Sequence, residues 1–218
     1  MEYHKIETLF DRDEKFGVIV GKFRNPIYNS FKTWHVTEKV DGTNVRVMIS
    51  VEGKVTIGGR TDAAQMSTDL VQYLQETFTE EKMKLAFWLP DDAGSPVPTK
   101  AILYGEGYGA GIQKGGSYRK DKSFRLFDVL VSDKFWLDWK NVEDVANKLE
   151  IKTVPYLGEW TMEEIIEKVK CGLPSKVAIE ENNGLLFDSE GIVARTIEPL
   201  FDRRGKRIIL KLKTKDFK

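Results

Sequence analysis

Val45, Val47 and Ile49 alternate with Arg46, Met48 and Ser50, and Glu52-Gly53 then turns the chain towards Val55 and Ile57. A period of two marks a half-buried strand, because successive side chains leave opposite faces of the sheet. With the apolar residues that follow Trp34, the pattern predicts strand, turn, strand, turn, strand over residues 34–60, with a β-hairpin among them. Such a face has to be covered by other strands or helices. Dense β-branched and aromatic residues predict buried strands over residues 101–104 and 124–131, separated by a glycine-rich loop over 105–116, and last strands over 191–195 and 208–213. Helical spacing of Leu70, Tyr73, Leu74 and Phe78 predicts one long or two short helices within residues 64–87. Residues 139–149 read as an amphipathic helix, and Thr161 followed by Glu164 is a capping box opening a helix to Lys170. Strands interleaved with few, unevenly spaced helices favour an α+β fold over a doubly wound parallel sheet.

At 218 residues the chain suits one domain with elaborations. Lys+Arg and Asp+Glu balance at 34 each, so any site for a polyanion must come from local clusters rather than from global charge. Cys171 is the only cysteine; this excludes an intramolecular disulfide and a cysteine-based zinc cluster, and the thiol is expected to be buried or idle. The N-terminus is charged from its start, unlike a signal peptide, and no apolar run approaches the roughly 20 residues of a membrane helix. The expectation is a soluble cytoplasmic protein with no membrane contact.

The stretch GEGYGAGIQKGG contains neither a P-loop nor a Rossmann glycine spacing. His4 and His35 lie far apart with no nucleophile at a recognisable spacing, so a serine or cysteine triad has little support. Residues 37–47, TEKVDGTNVRV, read locally as an ordinary hairpin turn carrying a solvated Lys39. Further islands place charge at the end of an apolar strand: GGRTD around Arg60, LYGEGYG around Glu106, FRLFDVLV with Phe127 and Asp128, SEGIVAR with Glu190, and ILKLKTKDF with Lys211 and Lys213.

In this order and spacing, K-x-D-G, R-T-D, Y-G-E, F-x-x-F-D, E-G-I-V-A-R and K-x-K resemble the motifs of the covalent nucleotidyltransferases. That superfamily comprises ATP-dependent DNA ligases, RNA ligases and mRNA-capping guanylyltransferases. The chain is most similar to the RNA ligase 2-like family of ATP-dependent polynucleotide ligases, because Lys39-Val-Asp-Gly-Thr-Asn44 follows that family's K-x-x-G-x-N form rather than the K-x-D-G-x-R form usual in DNA ligases. The resemblance implies a ligase catalytic domain of the nucleotidyltransferase (ATP-grasp-like) type, with antiparallel sheets flanked by helices around an ATP cleft. It also implies a reaction: Lys39 attacks ATP to form lysyl-AMP, AMP passes to a 5′-phosphate end, and a 3′-hydroxyl displaces it. RNA is the favoured nucleic-acid partner, with DNA as the alternative, and so is a minimal domain that self-adenylates but seals poorly.

The same resemblance implies the residue roles. An unperturbed lysine has a pKa of about 10.4, so Lys39 needs surroundings that favour its neutral amine. Lys211, Lys213 and Arg60, with Mg²⁺ or Mn²⁺, would supply that positive potential and also neutralise phosphate charge. Lys211 and Lys213 are two apart on a strand and so share a face, with Leu212 towards the core. Glu38 is expected at the adenine edge, Phe127 stacked on the base, Glu106 on the ribose, Arg60 on ribose or phosphate, and Asn44 with Asp41 shaping the turn. Glu190 and Asp128 are the candidate metal ligands.

The resemblance ends near Lys213, so residues 1–218 are expected to be a single adenylation domain without a C-terminal OB-fold or helical domain. Residues 1–33, with His4, Lys5, Arg12, Arg24 and Lys32, read as an N-terminal elaboration, and Lys114, Arg119, Lys120 and Lys122 as a cluster for backbone phosphates. The expected state is a monomer.

Overall fold

A computed structural model describes residues 1–15, 17–113, 117–181 and 186–217. Lys114 and Lys218 lie outside them. In chain order the elements begin with β1 (Glu7–Thr8), β2 (Phe10–Arg12), β3 (Val18–Phe23), β4 (Trp34–Glu38), β5 (Thr43–Ile49), β6 (Val55–Gly59), α1 (Thr68–Thr77) and α2 (Glu80–Phe87). They continue with β7 (Ala101–Tyr108), β8 (Ser123–Val131), β9 (Phe135–Trp136), α3 (Trp139–Lys148), β10 (Lys152–Thr153) and β11 (Tyr156–Trp160). Last come α4 (Met162–Cys171), α5 (Lys176–Glu181), β12 (Gly191–Arg195) and β13 (Ile209–Lys213). The chain divides into two compact units, one of Met1–Tyr3 with Gly42–Thr153 and one of His4–Asp41 with Val154–Lys218.

The first unit is built on a sheet ordered β10-β8-β7-β5-β6, with β9 also on β8. Its pairs are antiparallel except for the short parallel pairing of β10 with β8. Val45, Val47 and Ile49 are buried against Leu70 and Leu74 of α1, Met83 of α2, and Val142 and Ala146 of α3, as their alternation requires. The opposite face of β5 is not solvated as a half-buried strand would be. Arg46 is only 2% exposed, because its guanidinium donates to the Gly59 carbonyl at 2.6 Å and to Asp62 at 2.7 Å.

β5 and β6 form the expected hairpin, whereas β4 belongs to the other unit's sheet. The Asp41-Gly42 turn therefore carries the chain from one sheet to another, and the local hairpin reading of residues 37–47 is corrected. β7 runs on to Tyr108, so the first residues of the expected glycine-rich loop are strand. The reason lies in Gly105, whose missing Cβ leaves room for the Phe124 ring; glycine here marks close packing, not a turn.

The second unit holds a sheet ordered β1-β13-β12-β4-β11, antiparallel except for the β1–β13 pair, beside the small β2–β3 sheet. Trp34, Val36, Ile192, Ala194, Leu210 and Leu212 pack against Met162, Ile165 and Val169 of α4. Full burial of an aliphatic side chain of this kind is worth about 1.5–3 kcal/mol. The α4 capping box is formed: Glu164 N–H donates to Thr161 Oγ1 at 3.3 Å, and Thr161 N–H donates to Glu164 Oε2 at 2.8 Å. Cys171, expected to be buried or idle, is exposed at the end of α4.

Thr161→Ala removes one half of this box and is expected to cost about 1 kcal/mol. Urea unfolding should show a lower midpoint with an unchanged slope.

Candidate active site

Three adjacent strands of the second unit converge on one carboxylate. β4 and β12 pair so that Glu38 faces Ile192, and the next step places Lys39 N–H on the Gly191 carbonyl at 2.9 Å. On the far side of β12, Gly191 faces Lys213 of β13. Lys39, Gly191 and Lys213 thus form a row across the sheet, and Glu190 precedes the central member. Gly191 has φ 149°, and a Cβ there would strike the Leu212 carbonyl and Lys213 Cα, so the row admits only glycine.

Glu190 sits between two ammonium groups. Lys39 Nζ lies 2.7 Å from Glu190 Oε2, and Lys213 Nζ pairs with Oε1 of the same carboxylate. Burial pushes the Glu190 carboxyl up, but the charges and hydrogen bonds of Lys39 and Lys213 together outweigh it and hold the group below the ordinary carboxylate value. Leu212 is buried in the core, so Lys211 and Lys213 share the opposite face as the alternation predicts. Burial first, then the charges of Lys213 and Lys39, push the Lys211 ammonium down to about 8, against the opposing pull of Glu190. The electrostatic strain of the cluster shows on Lys211.

The end of β13 is anchored by residues that motif reading passed over. Lys213 N–H donates to Asp216 Oδ2 at 3.1 Å, and Arg12 pairs with Asp216 Oδ1 at 3.2 Å. Thr214 N–H donates to the Glu190 carbonyl at 3.0 Å. Asp216 stood within ILKLKTKDF, but nothing local distinguishes it from a solvated tail.

Glu38 is buried, and its carboxylate is engaged at the start of α5. Oε1 accepts from Ser175 Oγ, and Oε2 accepts from Lys176 N–H at 2.8 Å and Val177 N–H at 3.2 Å. Carboxylates are favoured at such a position by the unsatisfied N–H groups of a helix start. The partner residues lie in a stretch that has no legible sequence pattern, so this role was not foreseen.

The first unit holds the other expected residues. Asn44 of β5 faces Glu106 of β7, and a Cβ on Gly42 would press on Glu106 Cγ and the Gly107 carbonyl, which explains the glycine of K-x-D-G. Arg60 is exposed just beyond β6, between the two groups that Arg46 grips, the Gly59 carbonyl and Asp62. Phe127 is partly buried, with its ring edge-on to Tyr3 at 5.1 Å. Asp128 is fully buried, and its Oδ2 accepts from the Tyr3 hydroxyl at 2.7 Å.

Glu190 is a partly accessible oxygen donor of the kind Mg²⁺ or Mn²⁺ uses. Among the described residues there is no group of three or more His, Cys, Asp or Glu side chains suited to hold a metal. That donor set fits a cation held by one or two carboxylates and largely by substrate phosphates and water.

The profile of the RNA ligase family matches residues 32–213. The chain belongs to that family. Its fold is similar to solved structures of Naegleria gruberi RNA ligase variants. One, with ATP and Mn, aligns with a TM-score of 0.66 and 20% identity over 98% of this chain and 56% of that one. Another, with AMP and Mn, gives 0.63 and 20% over 97% and 62%, and an apo form gives 0.64 and 19% over 99% and 58%. The mixed α/β architecture with antiparallel sheets is thus that of an RNA ligase structure, and the chain spans little more than half the length of these relatives. No helix among the described residues is long and apolar enough to cross a membrane.

The depressed Lys211 value gives a stability prediction. Unfolded, Lys211 keeps its ordinary value of 10.5, and folded it titrates near 8. Between those values the unfolded chain holds a proton that the folded chain has shed, so stability rises with pH; below about 8 the folded chain carries the full cost of the buried charge. Lys211→Met should therefore raise the urea midpoint at neutral pH and abolish the rise above pH 8.

Proposed function

We propose that this chain is an ATP-dependent RNA ligase that works through a covalent lysyl-AMP intermediate. The observation that carries the reading is the row of Lys39, Gly191 and Lys213 with Glu190 between the two lysines, in a member of the RNA ligase family.

In the first step the Lys39 ammonium parts from Glu190 and gives up a proton to water, its nitrogen attacks the α-phosphorus of ATP, and a second proton leaves the nitrogen for water as the phosphoramidate forms. An N–P bond forms, the bond from the α-phosphorus to the bridging oxygen breaks, and pyrophosphate leaves. Lys211 and Lys213 face the charge that develops on the phosphate oxygens, where fixed cations are most effective. In the second step a 5′-phosphate oxygen attacks the same phosphorus and releases Lys39. In the third a 3′-hydroxyl attacks the activated 5′-phosphate, forms the phosphodiester and expels AMP. Covalent catalysis divides one difficult substitution into easier ones.

Glu190, with Asp128 as the second candidate, would hold Mg²⁺ or Mn²⁺, which supplies neutralisation of phosphate charge. The Glu190 oxygens that hold Lys39 and Lys213 are the ones that would be offered to that cation. Glu106 is assigned to the ribose, Arg60 to ribose or phosphate, Phe127 to adenine, and Asn44 to the adenylate environment. Glu38 would act at the adenine edge while it caps α5. Residues 1–218 are taken as one adenylation domain, acting as a monomer on RNA ends.

Incubation with α-labelled ATP and Mg²⁺ or Mn²⁺ should label the parent protein, and Lys39→Ala should carry no label. Label on Lys39→Ala equal to the parent would refute the covalent mechanism. Because the chain spans 56% of a relative's length, sealing is measured separately, on nicked duplexes with RNA or DNA at the 3′-hydroxyl side. RNA-terminated nicks should be joined faster; equal joining would favour the DNA ligase reading. Glu190→Gln removes the shared carboxylate and should lower labelling by about 10²-fold or more.

A further inference from the structure

The connection between β12 and β13 is a built arm with a surface that the adenylation chemistry does not use. Its tip is closed by Asp202, whose Oδ1 accepts from Arg204 N–H at 2.8 Å and Lys206 N–H at 2.9 Å. Asp202 N–H donates to the Lys206 carbonyl at 2.8 Å, Gly205 N–H donates to the Asp202 carbonyl at 3.0 Å, and Phe201 bridges to Arg207. At the base, Ile208 N–H donates to the Leu200 carbonyl at 2.9 Å, and Leu200 N–H to Thr196 Oγ1 at 3.3 Å. The turn is held by side-chain and backbone bonds of its own.

What this scaffold presents is cationic and aromatic. Arg203, Arg204 and Lys206 are exposed, the tip's carboxylate is committed to the turn, and Glu198 towards the base is the arm's one other carboxylate. Beside them Ile197, Leu200 and Phe201 stand 46%, 44% and 47% exposed. Four basic residues elsewhere lie beside acceptors of their own: Arg12 on Asp216, Arg24 near Glu7, Arg119 near Asp121, and Lys122 on the Ala110 carbonyl. A cationic surface with exposed apolar and aromatic side chains matches the phosphate backbone and sugar edge of an RNA duplex.

We propose that this arm, residues 196–208, docks the RNA at a distance from the joined ends. The substrate class rests on the ligase reading; the arm's position comes from the sheet. β12 leads directly from Glu190 to the arm, and its Gly191–Arg195 span is about 13 Å at 3.3 Å per residue. For RNA running along β12, at about 3.4 Å of axis per phosphate, about four nucleotides lie between the reacting phosphate and the arm's first contact. On a duplex arm Arg203, Arg204 and Lys206 take backbone phosphates, and Phe201 takes a sugar face of the groove edge.

The test compares the parent with Arg203→Ala/Arg204→Ala/Lys206→Ala and with Phe201→Ala. The substrates are nicked RNAs closed by hairpins, with arms of about four or about sixteen base pairs. The triple variant should self-label from α-labelled ATP at the parent rate and seal the short-armed nick like the parent. It should bind and seal the long-armed nick about tenfold less well, with a salt slope shallower by about 2. Phe201→Ala should weaken long-arm binding several-fold and leave the salt slope unchanged. Equal loss on both substrates, loss of self-labelling, or unchanged long-arm binding would each overturn the proposal, the last leaving the arm's apolar side to a protein contact. Binding is read separately from labelling, so a parent that fails to label refutes the ligase reading while the arm is still tested.

Discussion

One carboxylate shared by two ammonium groups organises this molecule's chemistry. Glu190 accepts ion pairs from Lys39 and Lys213, which reach it from the two strands that flank its own. Without that carboxylate the two lysines would approach each other as bare like charges in a partly buried place, which costs more as water is removed. The compensation is incomplete: burial first, and then repulsion from Lys213 and Lys39, depress the Lys211 pKa to about 8. Three ammonium groups against one carboxylate leave the cluster with positive potential.

The sheet makes the cluster possible through register. A slip of one residue between β12 and β13 would turn Lys211 and Lys213 towards α4 and bring Leu212 out of the core. The same burial of Leu210, Leu212 and Ile192 that stabilises the unit therefore also selects the face on which the lysines stand. Fold and site are tied to one pattern. Asp216, holding Arg12 and the backbone of Lys213, fastens the open end of that strand.

The second recurring device is a buried charge that holds a loop or helix start. Glu38 ties Ser175 and the first turn of α5 to β4, directly beside Lys39. Arg46 does the same in the other unit, gripping the Gly59 carbonyl and Asp62 on either side of Arg60. Each charge is satisfied by several hydrogen bonds, which is the condition for keeping it out of water. Each also stands next to a residue assigned a role in nucleotide chemistry.

Much of this was legible in the chain alone. Alternation marked β5, β6 and the end of β13, residues 191–195 were read as strand β12, the Thr161–Glu164 pair marked the start of α4, and the ordered motifs singled out Lys39, Glu190, Lys211 and Lys213. Local pattern misled where glycine served packing, so that the Gly105 end of β7 read as loop, and where the Asp41-Gly42 turn joined different sheets rather than a hairpin. It was silent on β10 and β11, whose pairings are short or bulged, and on Ser175 and Asp216 as partners. The sequence by itself determined most of the longer strands and which residue types could carry the chemistry, because periodicity and the side chains' functional groups are local properties. Only the tertiary structure decided that Glu190 is shared by Lys39 and Lys213 and that the shift falls on Lys211, because charge energies depend on burial and on distances that strand register alone sets.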